Sequence, residues 1–435
     1  GNISLNAGND ILLYAVEDSR AGRSEGKNYR LSYDITEWTG VSIAAGGDLS
    51  LTAGRDIQTQ GTQLSAGGNA SLHAERDLNL VAVNDSRYIS SYQRTDRSFG
   101  RSRTTETESL HSTNVGTVVQ AGGDITLNAT LGEDGSVGLK DSRNVLIHGS
   151  LLDAGGSVVV GAGENITVTA NQEEHLDYRM TSRSGLGGMT GRMRSDTEAA
   201  IIQVGSLTNA GEDVVMLAGK DLTIAGSTVN AGNHAELYAG LTHEEGNLSI
   251  LALEDQFFSE SISKKKSLTL DFSSDSVSFS DQRTLSQDTT QTGNAASYVL
   301  AGSGNIVGEA AQDITLTGSV MHAGDTVTLD AGRNITVQSG TRSDSLGDEE
   351  SRRRGMLSWG GDDNSVNVFA GHETLGTRVQ QDVEGVAASQ IVGKDIQATA
   401  GNDINIVGSD LDAERSIRLT ADNDVNILAS HESVT

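Results

Sequence analysis

Cysteine and proline are both absent from the 435-residue sequence. Without cysteine there is no disulfide framework, which fits either a reducing compartment or a secreted chain that must thread a pore unfolded. The missing proline says more. A proline in a sheet deletes a ladder hydrogen bond and is confined to edges, so a chain that tolerates none reads as strands that are nearly all internal. Aromatics are scarce at two Trp, eight Tyr and six Phe, so any core is built from small and medium side chains in a thin, repeated cross-section. Positive charge is scarce too. The formal net charge of −28 argues against a nucleic-acid partner, because phosphate backbones call for a basic face. No apolar run approaches the roughly 18 residues of a membrane helix. The chain opens inside a repeat at GNISLNAGNDI and closes mid-pattern at LASHESVT. It is therefore expected to be one array, residues 1–435, cut from a longer protein and lacking a signal peptide of its own.

Glycine, by contrast, is abundant at 52 residues and falls in a pattern. The unit A-G-x-[D/N] is followed by an apolar, polar, apolar alternation. Its polar fourth position recurs at Asp48, Asp56, Asn69 and Asp77, at Asn305, Asp313, Thr326 and Asn334, and at Asp395, Asp403, Ser416 and Asp424. Partial copies pass through Asn144, Ser157 and Asn165 and through Asp213, Asp221 and His234. Steps of 8 and 13 residues give a period of 21. Alternation such as Leu49, Leu51, Ala53 is a strand pattern, so each period supplies three short strands and three corners. Copies that recur in one direction form a parallel sheet, and parallel crossovers are right-handed in about 98% of cases. The expected fold is all-β, a right-handed parallel β-helix of triangular coils, roughly ten of them stacked at about 4.8 Å. Inward Leu, Ile, Val and Ala stack on their copies, while Ser, Thr, Asn and Gln face water. At the corners Gly supplies positive φ, and Asx side chains bond the backbone two residues on. Turn chemistry accounts for the recurrent aspartates without calcium, whose nonapeptide array reads differently.

The rhythm breaks at residues 18–39, 84–115, 172–200, 254–297 and 341–387, mostly after related signatures: AVEDSR, AVNDSR, ANQEEH, ALEDQF and SGTRSDS. These five arms are expected to leave one corner of the coil, giving a larger repeat of two or so coils plus an arm. They hold 22 of the 31 Lys and Arg and 13 of the 16 aromatics, so both types are segregated away from the rod. Alternation in SLTLDFSSDSVSF and YRLSYDITEW reads as β-hairpins, with SSDS as a turn, whereas SGLGGMTGRMRS reads as a mobile, glycine-rich loop. Two readings stay open. The arm aromatics either cover the flank of the rod or meet a partner or membrane surface, for which Arg with aromatics is the favoured composition. Candidate contact residues are Arg87, Tyr88, Tyr92, Arg94, Phe99, Arg101, Phe257, Phe258, Lys264, Lys265, Arg352, Arg353 and Trp359.

No active site is evident. Motifs for a nucleophile elbow, a zinc protease or a Walker loop are missing. The EEHLD cluster of Glu173, Glu174, His175 and Asp177 reads as a solvated arm, since a metal needs convergent ligands. The pairs Asp410 with Asp412 and Asp362 with Asp363 could serve a carbohydrate-active β-helix enzyme, but isolated acidic pairs are weak evidence among 59 carboxylates. No enzyme, metal or cofactor is expected.

The segments AGGDLSLTAGRDIQTQGTQLSAGGNASLHAERDLNL, GKDLTIAGSTVNAGNHAEL and GKDIQATAGNDINIVGSDLDAERSIRL resemble filamentous haemagglutinin repeats of two-partner-secreted exoproteins. In its interrupted form the chain is most similar to the second repeat region of contact-dependent growth inhibition toxins and related adhesins. That resemblance implies export across the outer membrane of a Gram-negative bacterium through a partner transporter, display as a cell-surface filament, and help in delivering a C-terminal toxin at the target-cell outer membrane or a receptor there. An adhesin that binds host glycan or matrix is the rival. Secretion and toxin domains are not represented in these residues, and the family repeats specify no binding residues to carry over.

Overall fold

A computed structural model describes residues 1–131, 137–139, 142–268, 271–272, 276–362, 365–430 and 432–434. Three columns of short parallel strands run side by side. One coil shows the pattern: Leu49–Ala53, Ile57–Gln60 and Gln63–Ala66 each occupy one column. The next coil repeats them in register, with Leu49 over Ala70, Ile57 over Leu78 and Leu64 over Val119. Eleven levels stack in the column that contains Ile57–Gln60, for a rod of about 50 Å. The fold is thus the parallel β-helix that the 21-residue period implies. Its interior is a single apolar cluster of Leu, Ile, Val, Met and Ala, and no aromatic residue is among the buried hydrophobics described.

The corners differ from the sequence expectation in two respects. The recurrent Asx side chains bond along the axis, to the next coil's equivalent residue. The amide of Asn69 donates to Asp48 Oδ1 at 3.0 Å, that of Asp124 to Asn69 Oδ1 at 2.8 Å and that of Ser157 to Asp124 Oδ1 at 2.8 Å. At the second corner the chain of acceptors passes through Asp221, Asn247, Asp313, Asn334 and Asp403 and ends on the amide of Asp424. Stacking puts an identical orphan amide about 4.8 Å above each carboxyl, a better-placed partner than the residue's own turn. Arg55, Arg76 and Arg333 from one coil pair with Asp10, Asp56 and Asp313 of the coil before. The Arg333 guanidinium holds the Asp313 carboxyl below its usual range, burial opposing it. The third corner corrects another expectation. Thr62, Thr117, Ser150, Ser206, Ser227, Ser297, Ser319 and Ser389 face inward, none more than 4% exposed. From Thr62 to Ser319 each amide in this file donates to the next hydroxyl, as in Thr117 to Ser150 Oγ at 3.2 Å and Ser227 to Ser297 Oγ at 3.2 Å. A buried hydroxyl is stable only when bonded, and the repeat supplies the partner.

All five arms leave from this third corner, on alternate coils. The residue entering it reads Ala15, Gly61, Ala82, Gly149, Ala170, Gly226, Ala252, Gly318, Ser339, Gly408 in successive coils. Each glycine has φ between +53° and +56° and turns the chain directly into the next strand. Each Ala or Ser instead precedes an arm. Gly226→Ala should lower stability by about 1 to 2 kcal/mol, the cost of an L side chain in the left-handed region, aggravated by a Cβ 2.9 Å from Leu253 Cδ1. Urea unfolding of the two proteins measures it, and an unchanged midpoint would show that this corner tolerates a side chain.

The arms are β-hairpins: Val16–Gly26 with Tyr29–Thr39, Val83–Arg97 with Arg101–Val115, Asn171–Gly185 with Thr190–Val204, Leu253–Ser267 with Ser276–Ala295, and Gly340–Asp362 with Ser365–Ala387. They neither lie on the rod nor stand alone. Each pairs with the next, building one antiparallel sheet. Geometry accounts for the alternation: two hairpin strands are about 9.6 Å wide, and two coils rise by the same amount. Hairpins on every second coil therefore tile without gap or overlap. The segment SGLGGMTGRMRS, read as a mobile loop, forms the Leu186–Gly188 turn and the paired start of the following strand. Most of the expected SSDS turn, residues 273–275, lies outside the described residues, while Phe272 pairs with Val277 across it.

Candidate interaction surface: the hairpin fin

Neither face of the arm sheet shows the alternating burial of a packed layer. Every residue of Val83–Arg97 is half-buried or exposed, and so is every residue of Asn171–Gly185. The aromatics therefore do not cover the flank of the rod. The arms form a single-layer fin with two open faces.

The acidic signatures at the start of the arms have a local purpose. Asp85, Glu173 and Asp255, three residues past Ala82, Ala170 and Ala252, accept backbone amides of the preceding hairpin: Trp38 at 2.6 Å, Asn114 at 2.6 Å and Gln203 at 2.7 Å. These carboxylates clasp successive arms where their strands diverge toward the rod. In the fifth arm the equivalent position is Arg342, and the contact is made instead by the amide of Ser343 to Thr292 Oγ1 at 2.8 Å.

Register divides the candidate residues between the two faces, because directly paired residues share a face and neighbours alternate. One row runs Arg20, Ile35, Arg87, His111, His175, Ala200, Phe257, Gln291, Asp344 and Val383. Arg87, Arg101, Phe257, Lys265 and Arg352 thus lie on this first face, and Tyr88, Tyr92, Arg94, Phe258, Lys264 and Arg353 on the second. Phe99 sits in the turn of the second hairpin with φ +63° and is 86% exposed. Trp359 pairs with Val368 through its backbone, and its side chain lies outside the described residues. The candidates do not converge on one patch.

Two of them shape shallow hollows. The small Ala199 and Ala200 leave space beside the phenylalanines: about 300 Å³ on the first face among His175, Asp177, Glu198, Phe257 and Gln291, and about 400 Å³ on the second among Leu110, Leu176, Ile201 and Phe258. Arg94 pairs with Asp96 at 2.8 Å and Arg352 with Asp281 at 2.6 Å. The Arg352 guanidinium holds the Asp281 carboxyl below its usual range against a desolvation cost, and Arg283 does the same for Glu350. On the second face burial pushes the Tyr178 phenol up, helped by Glu106, Glu108 and Glu260.

The EEHLD cluster is not solitary. His175 Nδ1 lies 3.2 Å from His111 Nδ1, while His175 Nε2 is 3.5 Å from Glu173 and His111 Nε2 is 3.5 Å from Asp177. His111 is 64 residues away and enters through strand register alone. Among the described residues no group of three or more His, Asp or Glu is placed to hold a metal. Asp410 and Asp412 are exposed on one strand of the rod, and Asp363 lies outside the described residues.

A parallel β-helix whose alternate coils feed a continuous hairpin fin is the architecture of a repeat-built scaffold. The family model for the hemagglutinin repeat matches residues 21–100, 97–268 and 273–427, and the chain belongs to that family. Three curated relatives are similar to it: the tRNA nuclease CdiA-2 of Burkholderia pseudomallei strain 1026b, 27% identical over 71% of this chain; the deoxyribonuclease CdiA of Dickeya dadantii strain 3937, 28% over 78%; and the 16S rRNA endonuclease CdiA of Enterobacter cloacae, 24% over 91%. The chain spans only 9 to 12% of the length of these relatives. No solved structure matches it.

Proposed function

We propose that this chain is a shaft-and-fin segment of an exported, cell-surface exoprotein acting in contact-dependent growth inhibition. The coils form the filament shaft, and the fin meets the target-cell outer membrane during toxin transfer. A partner transporter carries the exoprotein across the producer's outer membrane, where a cysteine-free and proline-free chain threads readily. The nuclease activities named for the relatives belong, in this reading, to regions outside the tenth that the chain spans, and the segment itself catalyses nothing. The observation that carries the proposal is the fin: a large sheet with both faces open, holding most of the basic and aromatic side chains, serves no purpose in holding the rod together.

The test is excision. All five hairpins are removed from the full-length exoprotein, and each corner is closed with the glycine used by the alternate coils. Export and surface display should persist, and killing of target cells should be lost. Normal killing by the armless protein would overturn the proposal.

A further inference from the structure

Strand register assembles something that the linear sequence conceals. Arg103 pairs with Arg183, Arg183 with Arg192, Arg192 with Lys265, Lys265 with Arg283 and Arg283 with Arg352. Six consecutive strands from four hairpins thus present six cations in one straight row on the first face. At about 4.8 Å per strand the row is about 24 Å long and runs parallel to the rod. Like charges directly opposite one another destabilise a sheet, and the arms hold more acidic than basic residues, so indifferent placement would mix the signs. Arg283 and Arg352 are paired with Glu350 and Asp281, and Lys265 acts on Asp281 from a greater distance. Among the described residues no carboxylate forms an ion pair with Arg103, Arg183, Arg192 or Lys265. An unfavourable alignment maintained on a rigid sheet is what recognition of a partner with closely spaced negative groups requires.

A second, independent feature says which partner. Phe99 and Met189, 86% and 58% exposed, sit at the ends of the second and third hairpins, and Leu268, 52% exposed, lies at a similar level on the fourth; the fourth and fifth hairpins run on beyond that level, to Phe272 and Asp362. Each is three or four residues outward from a member of the row, about 10 to 13 Å along the strand. Exposed apolar side chains backed at that distance by a belt of Arg and Lys match a lipid leaflet, where apolar groups enter the acyl boundary and cations meet the headgroups. A soluble acidic polymer would use the row and leave these apolar side chains idle.

We propose that the row from Arg103 to Arg352, with the exposed apolar side chains outward of it, is a docking surface for a membrane leaflet rich in anionic phosphate headgroups. This rests on the reading of the fin as the part that meets a target envelope, and it names the chemistry of that contact.

The whole chain should co-sediment with phosphatidylcholine vesicles containing phosphatidylglycerol and not with phosphatidylcholine alone, and salt should weaken the binding. Each membrane-facing cation contributes about fivefold, so the triple substitution Arg183→Ser, Arg192→Ser, Lys265→Ser should weaken it on the order of a hundredfold. That variant should melt no lower than the parent, because it relieves repulsion. Replacing Phe99, Met189 and Leu268 with Ser should abolish the salt-resistant remainder. Undiminished vesicle binding by the cation triple, or binding of a soluble acidic polysaccharide in place of vesicles, would overturn the proposal. The triple in the full-length exoprotein separates it from the broader reading: normal killing by this variant, with killing lost on fin excision, would remove the lipid row and leave the fin's role standing.

Discussion

Removing residues 206–226, one armless coil, should tear the fin while leaving the rod wound. The deletion joins Gly205 to Ser227, which takes the place of Ser206, its neighbour in the same buried hydroxyl file, so the coils restack in register. It also brings the third and fourth hairpins onto adjacent coils, where about 4.8 Å of rise must hold two hairpins that are each about 9.6 Å wide. The pairing of Gly191–Ile201 with Gln256–Lys266, eleven register pairs, cannot survive that overlap. At roughly 0.5 to 1.5 kcal/mol net for each of about ten ladder hydrogen bonds, the loss is on the order of 10 kcal/mol. Deleting residues 227–318 is the matched control. It removes far more chain, two coils and the fourth hairpin, yet it joins Gly226 to Ser319, keeps the alternation and lets the third hairpin meet the fifth. Hydrogen exchange should find the amides of 191–201 and 256–266 unprotected in the short deletion, and the fin protected throughout in the long one. Equal protection in both would mean that the hairpins do not depend on coil parity.

Much of this architecture can be read directly from the residues. The 21-residue period, the alternation of Leu49, Leu51 and Ala53 and the absence of proline lead to stacked parallel strands, because a strand that recurs in one orientation has only its own copies to pair with. The signatures AVNDSR, ANQEEH and ALEDQF mark where the arms begin, and their carboxylates prove to be the clasps between hairpins. Two features escape a reading along the chain. The buried file from Thr62 to Ser389 looks like ordinary outward polar residues until stacking gives each hydroxyl a bonding partner. The cationic row and the His111–His175 pair depend on residues tens of positions apart that meet only through the lateral register of separate hairpins, and composition reports that cations are concentrated in the arms without saying which of them face one another. The alternation of Gly61, Ala82, Gly149, Ala170 and Gly226 was available in the sequence. It becomes meaningful once a hairpin's width is compared with a coil's rise.

Two substitutions of the same kind should separate rod from fin by their size. Leu237 is fully buried in the middle of the rod, stacked between Met216 and Gly308. An aspartate there sits in the apolar core, so Leu237→Asp should cost more than about 4 kcal/mol, the range of an unpaired charge or protonated acid buried without a partner. Because coils are stabilised mainly by their neighbours, the damage should spread to adjacent coils and divide the thermal transition. Leu176, in the fin, is half-buried between Leu110 and Ala199 on neighbouring strands. Its contribution comes through cross-strand pairs of about 0.2 to 1 kcal/mol each, so Leu176→Asp should cost no more than about 2 kcal/mol and leave a single transition. Calorimetry of the two variants against the parent makes the comparison. If Leu176→Asp proved as damaging as Leu237→Asp, the fin would have to possess a buried core of its own, and its faces could not be open for a partner.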